Sequence, residues 1–451
     1  MIHTSRWLTA CGAVLLVWAH NVPAREPGSA PADTHCTYLP VTAAVIPPVS
    51  VGRFFPNPVG NVSFNLFAGK LYALRGVEVG VFVNTEVQSV RGMQAAGIGN
   101  IVGGDVRGVH SAGIVNVVGS SVSGVQGAGI INVAGDDVFG AQTAGLVNVG
   151  GGDVSGAQGA LIINIAGGKI HGLQGAAVGC IAGAGVQGSQ TGGVFAITGS
   201  HVEGVQGSYV ISIAGQSVTG CQVSGIMCIG GSNVVGLQAG GIGSISGGTV
   251  EGIQGAGVFA VAREVRGVQA ALFTASDSVY GVQAGFINRS RRPDGYPIGF
   301  LNLVDGVPVR VAFMADESRG TSIELKTGSR HTHGVISLGG RVFSEPQTQA
   351  IGLGIGAHFG ENRYTADLDA ITYGLLAADS SGEGTVSTVR LVLGMPLVRR
   401  VSLHAGMRMS VFCSDKATGA VYAPWSVYKG THGRYNIRVW PGVTAGISVA
   451  I

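Results

Sequence analysis

The chain is poor in charge: only 11% of its 451 residues are Asp, Glu, Lys or Arg, and the formal net charge is +3. A balance this close to neutral points to neither nucleic-acid nor anionic-surface binding. The six cysteines lack regular spacing, so they make no disulfide framework. Gly-x-Ser-x-Gly, Walker and His-Glu-x-x-His motifs are all missing, and neither enzyme chemistry nor a cofactor is expected. Beyond the N-terminus there is no uncharged run free of glycine and turn residues that could form a membrane helix. Glycine, by contrast, is abundant at 78 residues, and 46% of the chain is hydrophobic. The glycine follows no G-X-Y period, which excludes collagen, and the apolar content excludes a disordered low-complexity chain.

The glycine belongs to a sixteen-residue unit copied across roughly 74–304, as in GVQGAGIINVAGDDVF. A glutamine slot recurs at Gln94, His110, Gln126, Gln142, Gln158, Gln174, Gln190, Gln206, Gln222, Gln238 and Gln254, with Glu78 one copy upstream. Glycine always stands two residues before the slot. Six after it come Asn84, Asn100, Asn116, Asn132, Asn148 and Asn164, and then Cys180, Ala196, Ser212, Cys228 and Ser244. The alternation predicts two short strands per unit, with a tight Ala-Gly corner between them and a Gly/Asp/Ser turn after them. Positive φ is expected of the corner glycines.

Two architectures could carry such strands. In a parallel β-solenoid each unit is one coil, and equivalent residues stack at about 4.8 Å. Gln126, Gln142, Gln158 and Gln174 then form one ladder, and Asn116, Asn132, Asn148 and Asn164 another, their amides bonding along the axis. In a membrane barrel each unit would be one longer strand. Uniform connections, few aromatics and the strict period favour the solenoid. The period shortens at the end, with the slot at Gln269, Gln283 and Pro297, as an atypical terminal coil would require.

Charge is distributed unevenly within the unit. From Gln94 to Gln254, the eight residues after each slot contain no charged residue, whereas Asp105, Arg107, Asp136, Asp137, Asp153, Lys169, Glu203 and Glu251 precede the slots. One edge of the stack is therefore wet. The uncharged face is expected to pack on the C-terminal domain, a membrane or a second copy.

The termini read differently. Arg6, the apolar 7–19 run and Val22-Pro23-Ala24 resemble a signal peptide over 1–24, while Leu8-Thr9-Ala10-Cys11 raises a lipidation reading at Cys11. Prolines punctuate 25–60, which suits a linker. A strand is expected over 61–69 at the head of a repeat domain running to 304. Over 305–451, eight segments from VRVAFMAD to VWPGVTAGISVA alternate as antiparallel strands, and 62–67 would make about nine. Dyad alternation with glycine and aromatics suits an outer-membrane barrel, with a soluble β-sandwich as the alternative. The fold class expected is all-β: a coil of sixteen residues per turn, then an antiparallel barrel-like or sandwich domain.

The repeat, the exit Tyr296-Pro297-Ile298-Gly299-Phe300-Leu301-Asn302, and the pieces Met314-Ala315-Asp316-Glu317, Leu325-Lys326-Thr327-Gly328 and VSLHAGMRMSVF resemble the surface repeat-containing proteins of spirochaetes and Bacteroidetes. The resemblance covers about residue 61 to the end. It implies an exported, envelope-associated β protein without an established molecular activity. The loss of the repeat Asn after Asn164, and His331 and His333 in place of bulkier aromatics, depart from that pattern.

Candidate chemistry is sparse. His331 and His333 would share one strand face and could chelate a metal, although no third ligand is identifiable. Asp367 and Asp369 alternate on one strand and should face a lumen or solvent rather than act in catalysis. Cys180 and Cys228 share a column but lie about 14 Å apart by coil spacing. The Gly-Asp turns lack the regular Asp of a calcium-binding roll. Three functions are open: a structural or partner-binding envelope protein, a pore or transporter, and a glycan-active β-helix, which the charge-free arc disfavours. A membrane and a protein bound to the uncharged face are the expected partners.

Overall fold

A computed structural model describes residues 35–292, 294–318, 320–341, 348–360, 364–377, 384–415 and 425–451. The 1–24 signal reading, Cys11 and the Ser380–Glu383 turn lie outside these residues. The chain divides into two compact units, Met1–Ser232 and Asn233–Ile451. Among the described residues no helix is long and apolar enough to cross a membrane.

The first unit is a β-solenoid. Each sixteen-residue copy gives a longer strand such as Val122–Ala128 and a shorter one such as Ile131–Ala134. Successive copies pair in parallel and in register, Gln126 with Gln142 and Asn132 with Asn148. Parallel pairing rules out the up-and-down barrel reading of the repeat. Val122, Gln126, Asn132 and Ala134 point inward, while Val125 and Ile130 point outward. The coil is thus lined largely by amides and small groups and faced with aliphatic side chains.

Glycine is needed for a different reason from the one expected. The positive φ values fall on the glycine inside the longer strand, +131° at Gly124 and +133° at Gly156, and not on the corner glycines. A Cβ on Gly156 would also lie 2.0 Å from the Gly140 carbonyl oxygen of the coil below. Conformation and steric contact both forbid a side chain there.

The expected linker is ordered from Thr37. Thr37–Ile46 pairs in parallel with Pro58–Asn65 and antiparallel with Val49–Ser50, covering the open edge of the first coil. Pro47, Pro48 and Pro56 fall between strands and Pro58 opens one, whereas Pro40 lies within Thr37–Ile46, where the register with Pro58–Asn65 passes over it. The 61–69 strand likewise belongs to the coil stack and not to the antiparallel sheet.

In the second unit, five further coils keep the ladder register through the shortened steps, Gln254 with Gln269 and Gln269 with Gln283. After them an antiparallel sheet runs Arg310–Asp316, Gly320–Gly328, Thr332–Arg341, Thr348–Phe359, Thr365–Ala377, Gly384–Val398, Val401–Ser414 and Tyr435–Ala450. Arg310 pairs with Ala450 and Asp316 with Thr444, so these eight strands close into a barrel and the sandwich alternative falls away. Tyr428–His432 adds a hairpin strand to the start of the last one.

The last coil is docked on the barrel. Asn302 N–H donates to Thr327 Oγ1 at 2.9 Å, and Thr332 Oγ1 donates to the Pro297 carbonyl at 2.8 Å. Gly334 lies so close to this coil that a Cβ would come within 2.2 Å of the Phe300 carbonyl oxygen. The barrel therefore caps the edge that a terminal coil would otherwise leave unpaired.

Candidate functional site: the coil ladders and the barrel lumen

The expected ladder residues form continuous chains of hydrogen bonds. Each of Gln142, Gln158 and Gln174 donates from Nε2 to the Oε1 of the preceding glutamine at 2.8–2.9 Å. Asn100 donates to Asn116, Asn116 to Asn132, Asn132 to Asn148, and Asn148 to Asn164, at 2.9–3.0 Å. Each of these amides also reaches a backbone carbonyl, as Asn116 does at Gly127, 2.6 Å away. Cys180 ends the Asn column, yet its thiol still donates to the Thr191 carbonyl at 3.1 Å. Burial pushes that thiol up to about 12, which leaves it protonated and unreactive. Cys180, Cys221 and Cys228 form no disulfide with one another, and of the three only Cys221 is not buried.

The ladder is broken near its start. His110 is fully buried in the glutamine column, and neither ring nitrogen has a partner. Burial lowers its pKa to about 3. Gln94, one coil earlier, donates to Glu78 Oε2 at 2.8 Å and to Glu86. Glu86 is itself buried, and desolvation, then its hydrogen bond with Glu78, raises its pKa well above the ordinary value. A proton on Glu86 makes it the donor that a pair of neighbouring carboxylates requires.

The barrel lumen holds a second constellation that motif reasoning did not assemble. Arg390 grips Glu324 through both oxygens, at 2.8 and 2.5 Å, and Asp369 Oδ2 through Nε at 2.9 Å. Lys326 Nζ lies 2.9 Å from Asp367 and 3.0 Å from Asp369. His333 Nε2 meets Asp369 Oδ1 at 2.7 Å, and His358 Nδ1 meets Asp367 Oδ1 at 2.5 Å. Arg408 forms a separate cluster with Asp316, at 2.7 Å, and with Glu317 and Ser318. Buried charges must be paired in this way, because an unpaired one costs several kcal/mol. The signal for the network lay in the strand alternation: Glu324 and Lys326, then Asp367 and Asp369, occupy inward positions two apart.

The two candidate histidines do not converge. His333 points into the lumen, while His331 precedes its strand and stacks near Tyr296, ring centres 5.1 Å apart. His333, Asp367 and Asp369 do bring three ligand atoms within 4.8 Å of one another. The Lys326 ammonium already serves as their cation, so the donor set is that of an internal ion-pair network. Farther along the lumen, Trp440, Phe412, Tyr373, Ile371 and Val386 pack together with almost no exposure. An eight-stranded barrel is only wide enough for its own side chains, and here they fill it.

The outer wall has the opposite character. Met407 is 74% exposed, Val443 63%, Leu393 61% and Leu338 57%, while Arg390, Asp369 and Glu324 inside are at most 1% exposed. On the solenoid, the uncharged face also remains outward, with Ile98, Ile114, Ile130, Leu146 and Ile162 all exposed. In comparisons with family models, curated proteins and solved structures, the chain matches none.

Proposed function

We propose that the barrel spans a lipid bilayer and anchors a non-enzymatic cell-envelope protein, with the solenoid as a structural or partner-binding surface. The observation that carries this reading is reversed polarity: ion pairs within the lumen and large aliphatic side chains on the outer wall. Water-soluble folds are built the other way round, whereas a membrane barrel needs an apolar exterior and tolerates a polar interior. The longer strands, such as Thr348–Phe359 and Gly384–Val398, exceed the roughly 9–11 residues that a tilted strand needs to cross the hydrocarbon core. The signal-like N-terminus and the resemblance to surface repeat-containing proteins support export to an outer membrane.

The pore reading needs an open conduit, and the packing of Trp440, Phe412 and Tyr373 within the lumen argues against one. Purified chain folded into vesicles should resist carbonate extraction and give no steady conductance in planar bilayers. Release by carbonate would contradict the anchor. Stable channels would favour the pore.

A further inference from the structure

The two ends of the barrel differ in their connections. At the end where the last coil docks, strands are joined by residues 329–331, 360–364 and 399–400. At the other end lie the strand ends Asp316, Arg341, Ala377 and Ser414, and the hairpin strand Tyr428–His432 extends beyond them. The last residue, Ile451, lies at the short-turn end, its N–H donating to the Val309 carbonyl at 2.8 Å.

The short-turn end carries exposed cations at its rim. The short turns carry Arg330, Arg399 and Arg400, all exposed. None of the three forms an ion pair among the described residues. At the far end Asp415 is exposed, Glu317 is held by Arg408, and the hairpin carries the exposed Lys429 and Arg434. In the adjoining coils Arg291 is paired with Asp277 at 3.2 Å.

The position of the arginines matters as much as their number. The 329–331 turn and the 399–400 turn are four strands apart around the barrel, so they lie on opposite sides of its mouth. Leu397 and Val398, 58% and 60% exposed, run directly into Arg399 and Arg400. Phe359 and Tyr364 are exposed at the same end. An apolar wall, then aromatic rings, then cations spaced around a rim is the order of layers met on leaving a hydrocarbon core through its headgroups. A folded protein or peptide partner would be read by one contiguous patch. Residues spread around a ring match a planar sheet of charge.

We propose that Arg330, Arg399 and Arg400 form a basic rim that binds the anionic phospholipid headgroups of the leaflet on the short-turn side. The terminal coils then lie on that same side of the bilayer. This inference rests on the membrane-spanning reading of the barrel. Arginine suits the role because its planar fork engages phosphate oxygens in pairs, and screening by salt should weaken the contact.

The test compares the full chain with an R330Q/R399Q/R400Q variant in vesicles of phosphatidylcholine alone and of phosphatidylcholine containing phosphatidylglycerol. The readout is the urea midpoint for unfolding from the bilayer, at low and high salt. Phosphatidylglycerol should raise the wild-type midpoint at low salt, and high salt should abolish the rise. The variant should behave as wild type in phosphatidylcholine and lose most of the phosphatidylglycerol response. An equal response from both proteins overturns the rim while leaving the anchor intact. Failure of either protein to insert into any vesicle overturns the anchor and the rim together.

Discussion

Single residues in the coil interior carry measurable consequences, because a buried ladder leaves no water to repair a missing partner. His110 breaks the glutamine column with two unbonded ring nitrogens, and a buried polar group left unpaired costs about 1–3 kcal/mol. His110→Gln should restore the amide chain and stabilise the coils by about that amount, seen as slower hydrogen exchange over residues 90–128. The pH dependence has a defined sign. The folded His110 pKa of about 3 lies below the ordinary 6.5, so its contribution is present above pH 6.5 and is lost as pH falls toward 3. Glu86 acts in the opposite sense. Its folded pKa is raised, so stability is full below the ordinary 4.5 and declines as pH rises above it. Glu86→Gln should flatten that upper limb, and His110→Gln the lower one. An unchanged exchange profile in both variants would show that neither group is buried as described.

At the scale of elements, much of the solenoid was legible because it repeats. Identical residues at sixteen-residue intervals can satisfy one another only if the strands stack in register, and the Gln and Asn columns do so. Less legible was which face is inside. Val122 and Val125 fall on opposite faces by strand alternation, and only the closed coil shows that the first is the buried one. The edge strand Thr37–Ile46 was hidden by its flanking prolines. The lumen network was hidden by distance along the chain: Glu324 and Arg390 meet only once the barrel has closed. That pair also yields a prediction. Arg390→Met leaves Glu324 and Asp369 without their guanidinium partner, and removing one member of a buried ion pair costs about 3–5 kcal/mol. The double change Glu324→Gln with Arg390→Met should recover part of the loss in a urea titration. Additive losses would mean that the two side chains do not share one network.

The whole molecule is an arrangement of polarity. Its coil interiors hold amides, its barrel interior holds ion pairs, and large aliphatic side chains lie on the barrel's outer wall and on one face of the coils. Barrel closure could not be read from local pattern, since it depends on Arg310 meeting Ala450 across the full domain. The alternation of the individual strands was legible, and it placed Asp367 and Asp369 away from the outer wall. The proposed membrane anchor has one decisive consequence: the outer wall would lie in hydrocarbon. A fluorophore at position 407, introduced as Met407→Cys in a cysteine-free background and read in vesicles, tests this most directly. Nitroxides placed deep in the acyl chains should quench it strongly, and aqueous iodide should not. Quenching by iodide with no effect of the lipid nitroxides would contradict the membrane-spanning barrel.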